Sequence, residues 1–378
     1  MKKLHIAIMC DSIDTIVWWS YISAQRFAKW LTDLWHHIIW CTSSFIEQSK
    51  KKEFWYATLY EFASLFPIGP QKVRFAYPKV SQLTSIFQKE HIDIIYNIHP
   101  GYLWWQAHRA GKLLNITVIH HSHVQPDNIL PHAPHRLEKR IYKLLARFYR
   151  KWNGVIFPTE FGKKEFDGYK LEKKKIVISN GVNTDIFMPP KSKPKDKFNI
   201  LYTWRLDKEK NIRVLLDALY LLKKQDRLTS NIHCKIRGDW SEEKRLRQLT
   251  KSYSLQDTVS FIEKTPDQKS FVNLYQECSV FVLPSLCELE SMVTLEAMAC
   301  GCAILIADSP KSAAKNFVKE NGYTFNLDTP EDLADKISWL ATHPDVLGTM
   351  QKKSIENIQS FAFNESIKKL ESFFISFL

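Results

Sequence analysis

Two carboxylates, Glu288 and Glu296, bracket the most informative stretch of the 378-residue chain, Pro284-Ser285-Leu286-Cys287-Glu288-Leu289-Glu290-Ser291-Met292-Val293-Thr294-Leu295-Glu296-Ala297-Met298-Ala299-Cys300-Gly301. An apolar strand-like run ends at Leu283, a loop carries Glu288, a helix opens near Ser291, and Gly301 supplies its C-terminal stop. Backbone N–H groups of Ser291, Met292 and Val293 at the positive end of that helix suit a phosphate. Glu296, one to two turns inside, is placed to accept hydrogen bonds from a ribose. Upstream, Arg205 and Lys210 stand five apart in a charged loop. Alone, such a pair reads as solvated surface. His121 and His123 lie on an extended segment, so one is expected to face a ligand cleft and the other to pack or meet solvent, and His123 is the preferred cleft residue. His5, His36 and His37 are taken as structural.

The elements that must position these groups come in two series. Leu4–Met9, Ile38–Cys41, Ile92–Tyr96, Thr117–Ile119, Gly154–Phe157 and Ile176–Ile178 are apolar runs separated by helical patterns, and the series restarts with Phe198–Tyr202, His233–Ile236, Val259–Phe261, Val280–Leu283 and Ala303–Ala307. Strands alternating with helices predict βαβ units around parallel sheets. Between the series lies the Pro/Lys stretch Pro189–Lys197, which continues neither a helix nor a central strand. The expected organisation is therefore α/β, with a Rossmann-like doubly wound domain over 1–188, a linker over 189–197, and a second such domain over 198–355. A terminal helix over 356–378 is expected to return to the first. Two such domains facing each other would form an interdomain ligand cleft at the carboxyl ends of both sheets.

The Glu288-x7-Glu296 spacing followed by Ala-Met-Ala-Cys-Gly resembles the signature of family-4 retaining glycosyltransferases with the GT-B fold. Tyr202-Thr203-Trp204-Arg205-Leu206-Asp207-Lys208-Glu209-Lys210-Asn211 is similar to that family's Gly-Arg-Leu-x-x-x-Lys diphosphate clamp, with Arg205 and Lys210 as its cations. Further matches are Phe157–Phe161, Ser179–Phe187, and His121–Asn128, the last similar to the active-site histidine loop of the diacylglycerol glycosyltransferase-like subfamily. The resemblance spans nearly the whole chain. It implies an acceptor-binding first domain, a nucleotide-sugar-binding second domain, and a metal-independent hexosyltransferase that moves a hexose from a nucleotide sugar, UDP-hexose in expectation, with no cofactor beyond that substrate. It implies that Arg205, Lys210, Ser291, Met292 and Val293 hold the donor diphosphate and Glu296 its ribose. It implies too that Glu288 orients the donor sugar and that His123 acts on the sugar or acceptor. The diphosphate leaving group builds negative charge that these cations and the helix end would stabilise.

The chain is 45% hydrophobic and 25% charged, which excludes disordered, collagen-like and disulfide-scaffold classes. Seven cysteines without a C-x-x-C pair read as reduced thiols, and no metal site is expected. No apolar run approaches the ~20 residues of a membrane span, and the opening residues run straight into a strand pattern, so a cytoplasmic protein is expected. Charge is uneven: residues 1–190 hold 26 Lys/Arg against 15 Asp/Glu, residues 191–378 hold 27 against 25. The helix Arg136–Trp152 carries Arg136, Lys139, Arg140, Lys143, Arg147, Arg150 and Lys151 against apolar Ile141, Leu144, Leu145 and Phe148. With Lys50–Lys52 and Lys173–Lys175 it predicts peripheral attraction to an anionic inner membrane surface and a lipid acceptor such as diacylglycerol; a cell-envelope glycan fits the motifs equally. No nucleic-acid-binding module is present in the pattern.

Glycine occurs only 11 times and tryptophan 12. Trp18 and Trp19 stand where the resembled family has a Gly-Gly turn at the donor phosphates, and Trp35, Trp204 and Trp240 also occupy family glycine positions. A large side chain cannot supply the positive φ or the close backbone approach of a glycine. The expectation is that the gene reads UGA as glycine and that these five residues are glycines translated as tryptophan. The alternative is a catalytically inactive binding subunit with an indole-filled pocket. Trp30, Trp40, Trp152 and Trp339 suit their surroundings as true tryptophans; Trp104 and Trp105 stay undecided.

Overall fold

The computed structural model describes residues 3–11, 19–43, 54–64, 74–98, 101–125, 135–171, 173–193, 196–263 and 267–378, with the side chains of residues 19, 20 and 135 outside the description. Trp18 and Lys50–Lys52 lie outside the described residues.

Short, largely apolar runs buried on both faces take the central positions of parallel sheets, and more polar, partly exposed runs such as Thr58–Phe62 and Lys174–Val177 take the edges. In the first unit these are β1 (His5–Met9), β2 (His37–Ser43), β3 (Thr58–Phe62), β4 (Ile94–Asn97), β5 (Thr117–His121), β6 (Gly154–Phe157) and β7 (Lys174–Val177), in the order β3-β2-β1-β4-β5-β6-β7 with every neighbour parallel. The crossovers carry helices α1 (Trp19–Asp33), α2 (Val80–Lys89), α3 (Tyr102–Leu114), α4 (His135–Tyr149) and α5 (Glu160–Lys164). One aromatic-rich core on this sheet includes Trp104, Tyr142, Tyr149, Trp152, Phe157 and Phe166.

The second unit repeats the pattern with β8 (Phe198–Thr203), β9 (Ile232–Arg237), β10 (Val259–Ile262), β11 (Val280–Leu283), β13 (Ala303–Ala307) and β15 (Gly322–Phe325), ordered β10-β9-β8-β11-β13-β15 and again parallel throughout. Two-residue strands β12 (Cys287–Glu288) and β14 (Lys311–Ser312) pair separately. Helices α6 (Arg213–Lys224), α7 (Glu243–Ser252), α8 (Gln268–Gln276), α9 (Met292–Ala299), α10 (Pro330–Thr342) and α11 (Pro344–Ile358) connect and follow the strands, and α12 (Phe363–Ile375) ends the chain. In both sheets the strand order reverses beside the first strand, between β1 and β4 and between β8 and β11, which are the positions where doubly wound sheets receive ligands.

The division of the chain differs from the expected one. The compact units are Met1–Asn180 with Ser366–Leu378, and Gly181–Glu365. The expected linker 189–197 belongs inside the second unit because its segment is tied there. Val182 forms a parallel bridge to Ala362, Gln276 donates to the Met188 carbonyl at 2.9 Å, and the Lys193 ammonium donates to the Gly301 carbonyl at 2.8 Å. The return to the first unit likewise begins at Ser366, not 356. There Glu371 meets His36 at 3.2 Å, Phe374 lies edge-on to Tyr96, and Lys174 donates to the Ser376 hydroxyl at 2.7 Å. The terminal helix expected over 356–378 is broken, with α11 ending at Ile358 and α12 starting at Phe363.

The basic helix is α4, one turn shorter at its end than expected. Its Arg136, Lys139, Arg140, Lys143 and Arg147 are exposed, while Tyr142, Leu145, Ala146 and Tyr149 are buried in the first core. The apolar stripe is thus spent on the fold; only Leu137 and Leu144 remain exposed on the charged side.

Candidate active site

The carboxyl ends of β8 and β11 lie side by side at the reversal of the second sheet, and each feeds a loop that carries charge. After β8 come Arg205 and a single 3-10 turn, Lys208–Lys210; after β11 come Ser285 and the short strand β12 holding Glu288. The two loops are stitched by their backbones. Leu286 N–H donates to the Glu209 carbonyl at 2.8 Å, and Ala313 N–H fixes the Glu288 carbonyl at 2.7 Å. On this frame the side chains converge. The Lys210 ammonium donates to Glu288 Oε1 at 2.9 Å and stands 3.5 Å from Glu209 Oε1, and the Ser285 hydroxyl donates to the same Glu288 oxygen at 2.7 Å. The Arg205 guanidinium forks onto Asp207 at 2.8 Å and Glu209 at 2.9 Å, while the Tyr202 hydroxyl donates to the Arg205 carbonyl at 2.8 Å.

Arg205, Lys210 and Glu288 are therefore brought into one hydrogen-bonded cluster 83 residues long in sequence and two strands wide in space. Lys210 is 3% exposed. Burial by itself lowers its pKa, but Glu288 and Glu209 outweigh that and raise it above the ordinary lysine value, so the ammonium stays charged. Burial pushes the Asp207 carboxyl up and the Tyr202 hydroxyl well up. Two cations face three carboxylates, a set in which an arriving polyanion can replace Asp207, Glu209 or Glu288 as the partner of Arg205 and Lys210 through charge-assisted bonds of the same kind. Asp207, Glu209 and Ser285 were missed by sequence reasoning. Two of them sit within the charged loop around Arg205, where the alternation of sign was the available signal.

Three residues beyond Glu288, Ser291 caps α9. Its carbonyl accepts from the N–H groups of Thr294 and Leu295, and its hydroxyl pairs with Thr294 Oγ1 at 2.8 Å. The N–H groups of Met292 and Val293 are the first of the helix and have no intrahelical acceptor by geometry, although their side chains are buried. Glu296 is completely buried. Its Oε2 accepts from the Tyr275 hydroxyl at 2.9 Å, and that hydroxyl lies 2.8 Å from Thr203 Oγ1. The carboxylate expected to hold a ribose is thus tied through Tyr275 to the end of β8. Tyr275 and Thr203 carried no sequence signal beyond apolar surroundings.

In the first unit His121 ends β5, fully buried, with its Nδ1 2.6 Å from the Tyr96 hydroxyl; burial pushes its pKa down to about 3. His123 is half-buried, and its ring centroid is 4.0 Å from that of His121. His121 is thus the packed member of the pair. Residues two apart in an extended segment share a side, and the two rings lie against each other with an interplanar angle of 34°. Asp11, at the end of β1, is buried and accepts from Ala76 N–H at 2.9 Å; desolvation pushes its pKa up to about 7. Trp19 opens α1 by its backbone; Trp18 and the rest of that turn lie outside the described residues. No group of three or more metal-ligating side chains occurs among the described residues, and no helix among them is long and apolar enough to cross a membrane.

Two family models match this chain. The Glycosyltransferase Family 4 model covers residues 22–186, and the Glycosyl transferases group 1 model covers 183–361, which includes the whole Arg205–Glu288–Glu296 region. The chain belongs to this family of glycosyltransferases, built as GT-B with two Rossmann-like parallel-sheet domains. It is similar to the alpha-monoglucosyldiacylglycerol synthase of Streptococcus pneumoniae, 25% identical over 63% of this chain and 56% of that one. It is also similar to the enzyme of the same name from Acholeplasma laidlawii, 22% identical over 78% of this chain and 72% of that one. The match to the first spans little more than half of the relative's length. Anabaena HepE, solved in complex with UDP, shares the fold with a TM-score of 0.76 over 99% of this chain and 100% of that one at 17% identity.

Proposed function

We propose that this chain is a retaining, metal-independent hexosyltransferase that moves a hexose from a UDP-sugar to a membrane lipid of the diacylglycerol class. The observation that carries the reading is the pairing of Arg205 and Lys210 with exchangeable carboxylates at the carboxyl ends of β8 and β11. A nucleoside diphosphate leaving group needs two fixed cations, and these are already held within 2.9 Å of oxygen anions of the right charge. In the reading, the diphosphate displaces Asp207 and Glu209 from Arg205, the first N–H groups of α9 take a further phosphate oxygen, and Glu288 turns to the hexose hydroxyls. Glu296, steadied by Tyr275, accepts from the ribose. His123 serves the acceptor side.

The donor is proposed as UDP-hexose in line with the solved relative that holds UDP. The lipid acceptor is supported by the names of two relatives and by the exposed basic face of α4. On this basis the protein works as a peripheral enzyme on an anionic surface. A direct test is UDP titration calorimetry with Arg205→Ala and Glu288→Gln. The first is expected to lose UDP affinity and the second to keep it while losing transfer. Equal UDP affinity in wild type and Arg205→Ala contradicts the donor assignment.

A further inference from the structure

We infer that residues 35, 204 and 240 are glycine in the protein as its own cells make it, read from UGA codons, whereas Trp40, Trp104 and Trp152 are true tryptophans. The inference goes beyond the catalytic reading and stands without it. Ten non-glycine residues among those described have positive φ. Seven of them, His91, Asn115, Lys170, Asn211, Asp226, Ser254 and Glu320, fall between 49° and 59°, the left-handed well that polar L-residues visit. The remaining three are all tryptophan, at 68° for Trp35, 143° for Trp204 and 131° for Trp240. The last two lie beyond that well, with the glycine Gly238 at 158° beside them. There a Cβ meets the backbone, and bulky residues are outliers.

The surroundings of each position are those of a glycine. Trp35 lies two residues past the end of α1: its N–H donates to the Thr32 carbonyl at 2.8 Å and the next N–H, of His36, to the Leu31 carbonyl at 3.0 Å. That pair of bonds is the Schellman closure, whose left-handed residue is usually glycine. The Trp35 indole is 83% exposed, so no burial offsets the backbone cost. Trp204 and Trp240 lie in two turns that touch backbone to backbone. Trp204 N–H donates to the Arg237 carbonyl at 3.1 Å, Leu206 N–H to the Asp239 carbonyl at 2.9 Å, and a Cβ on Gly238 would stand 1.9 Å from the Trp204 carbonyl oxygen.

The other group differs on every count. Trp40 is fully buried against Phe54, and Trp104 stacks on Trp152 at 4.8 Å, both at most 4% exposed. None of these three has positive φ. Reading residues 35, 204 and 240 as glycine moves the counts from 11 glycines and 12 tryptophans to 14 and 9, toward glycine's usual share of ~7%.

Peptide mass spectrometry on the protein purified from its native cells, with the gene's codons read alongside, tests the assignment. Glycine from UGA at 35, 204 and 240, with tryptophan from UGG at 40, 104 and 152, is the expected result. Tryptophan at 204 or 240 overturns it, and so does glycine at 152. A second readout needs no native source. In the recombinant chain as written, the double change Trp204→Gly and Trp240→Gly is expected to raise the unfolding midpoint by several degrees, whereas Trp152→Gly lowers it; a midpoint unmoved or lowered by the double change overturns the inference. Neither readout involves a sugar donor, so failure of the glycosyltransferase reading leaves this result intact.

Discussion

Lys210 is the residue on which the second unit's loops depend. It is buried between Glu288 and Glu209, and removing one partner of a buried ion pair costs about 3–5 kcal/mol because a charge is left uncompensated. Lys210→Met is therefore expected to lower stability by about that amount in urea denaturation. Adding Glu288→Gln should recover part of the loss, and a strictly additive double variant would contradict the coupling. Asp11 gives a prediction of opposite sign. Burial raises its folded pKa to about 7 from an ordinary value near 3.8. The folded state then holds more protons between those limits, so this group lowers stability progressively as pH rises through that window. Asp11→Asn keeps the acceptor for Ala76 and should be the more stable protein above pH 7, with the advantage vanishing toward pH 4; an advantage constant with pH would refute the assignment.

Among the elements, the buried strands were legible because their runs are apolar on both faces, as in Ile94–Asn97 and Ala303–Ala307. β3 was not, since Thr58–Phe62 is an edge strand with Glu61 and half-exposed Leu59 and Tyr60, and such a mixed pattern carries no period. β15 was missed because it opens on a glycine, Gly322, packed against Ile304: a Cβ there would lie 1.8 Å from the Ile304 carbonyl oxygen. Gly322→Ala is expected to loosen the β13–β15 edge and lower the unfolding midpoint, whereas Gly348→Ala, in open space on α11, should not. The helix end at Trp35 is closed by Schellman bonds on a residue of positive φ. The site was legible in its charged residues, Arg205, Lys210 and Glu288, because unlike charges at fixed spacing leave a sequence mark. Tyr275, Thr203 and Ser285 left none, since a hydroxyl that satisfies a buried carboxylate is set by tertiary position alone.

For the whole molecule, the chain's last residues belong to the first unit and not to the one that precedes them in sequence. Truncation after Glu365 removes the Glu371, Phe374 and Ser376 contacts to His36, Tyr96 and Lys174, and should lower the midpoint of the first unit while leaving the second near its own. A uniform loss in both would contradict the division. The excess positive charge also lies in the first half, with α4 exposing five cations. At about 1 kcal/mol per basic residue near an anionic surface, Arg140→Glu, Lys143→Glu and Arg147→Glu together should weaken sedimentation with anionic vesicles by at least about two orders of magnitude. Raised salt should do the same to the wild type.

The most direct measurement is transfer itself: protein purified from its native cells, UDP-glucose or UDP-galactose as donor, and diacylglycerol in anionic vesicles, with the glycolipid and released UDP read together. Formation of an alpha-linked glycolipid in step with UDP, abolished in Glu288→Gln and reduced by roughly 10²–10³ in Arg205→Ala, is the predicted result. UDP binding without release from any UDP-hexose, with Glu288→Gln indistinguishable from wild type, would contradict it and leave the chain a binding protein on a glycosyltransferase fold.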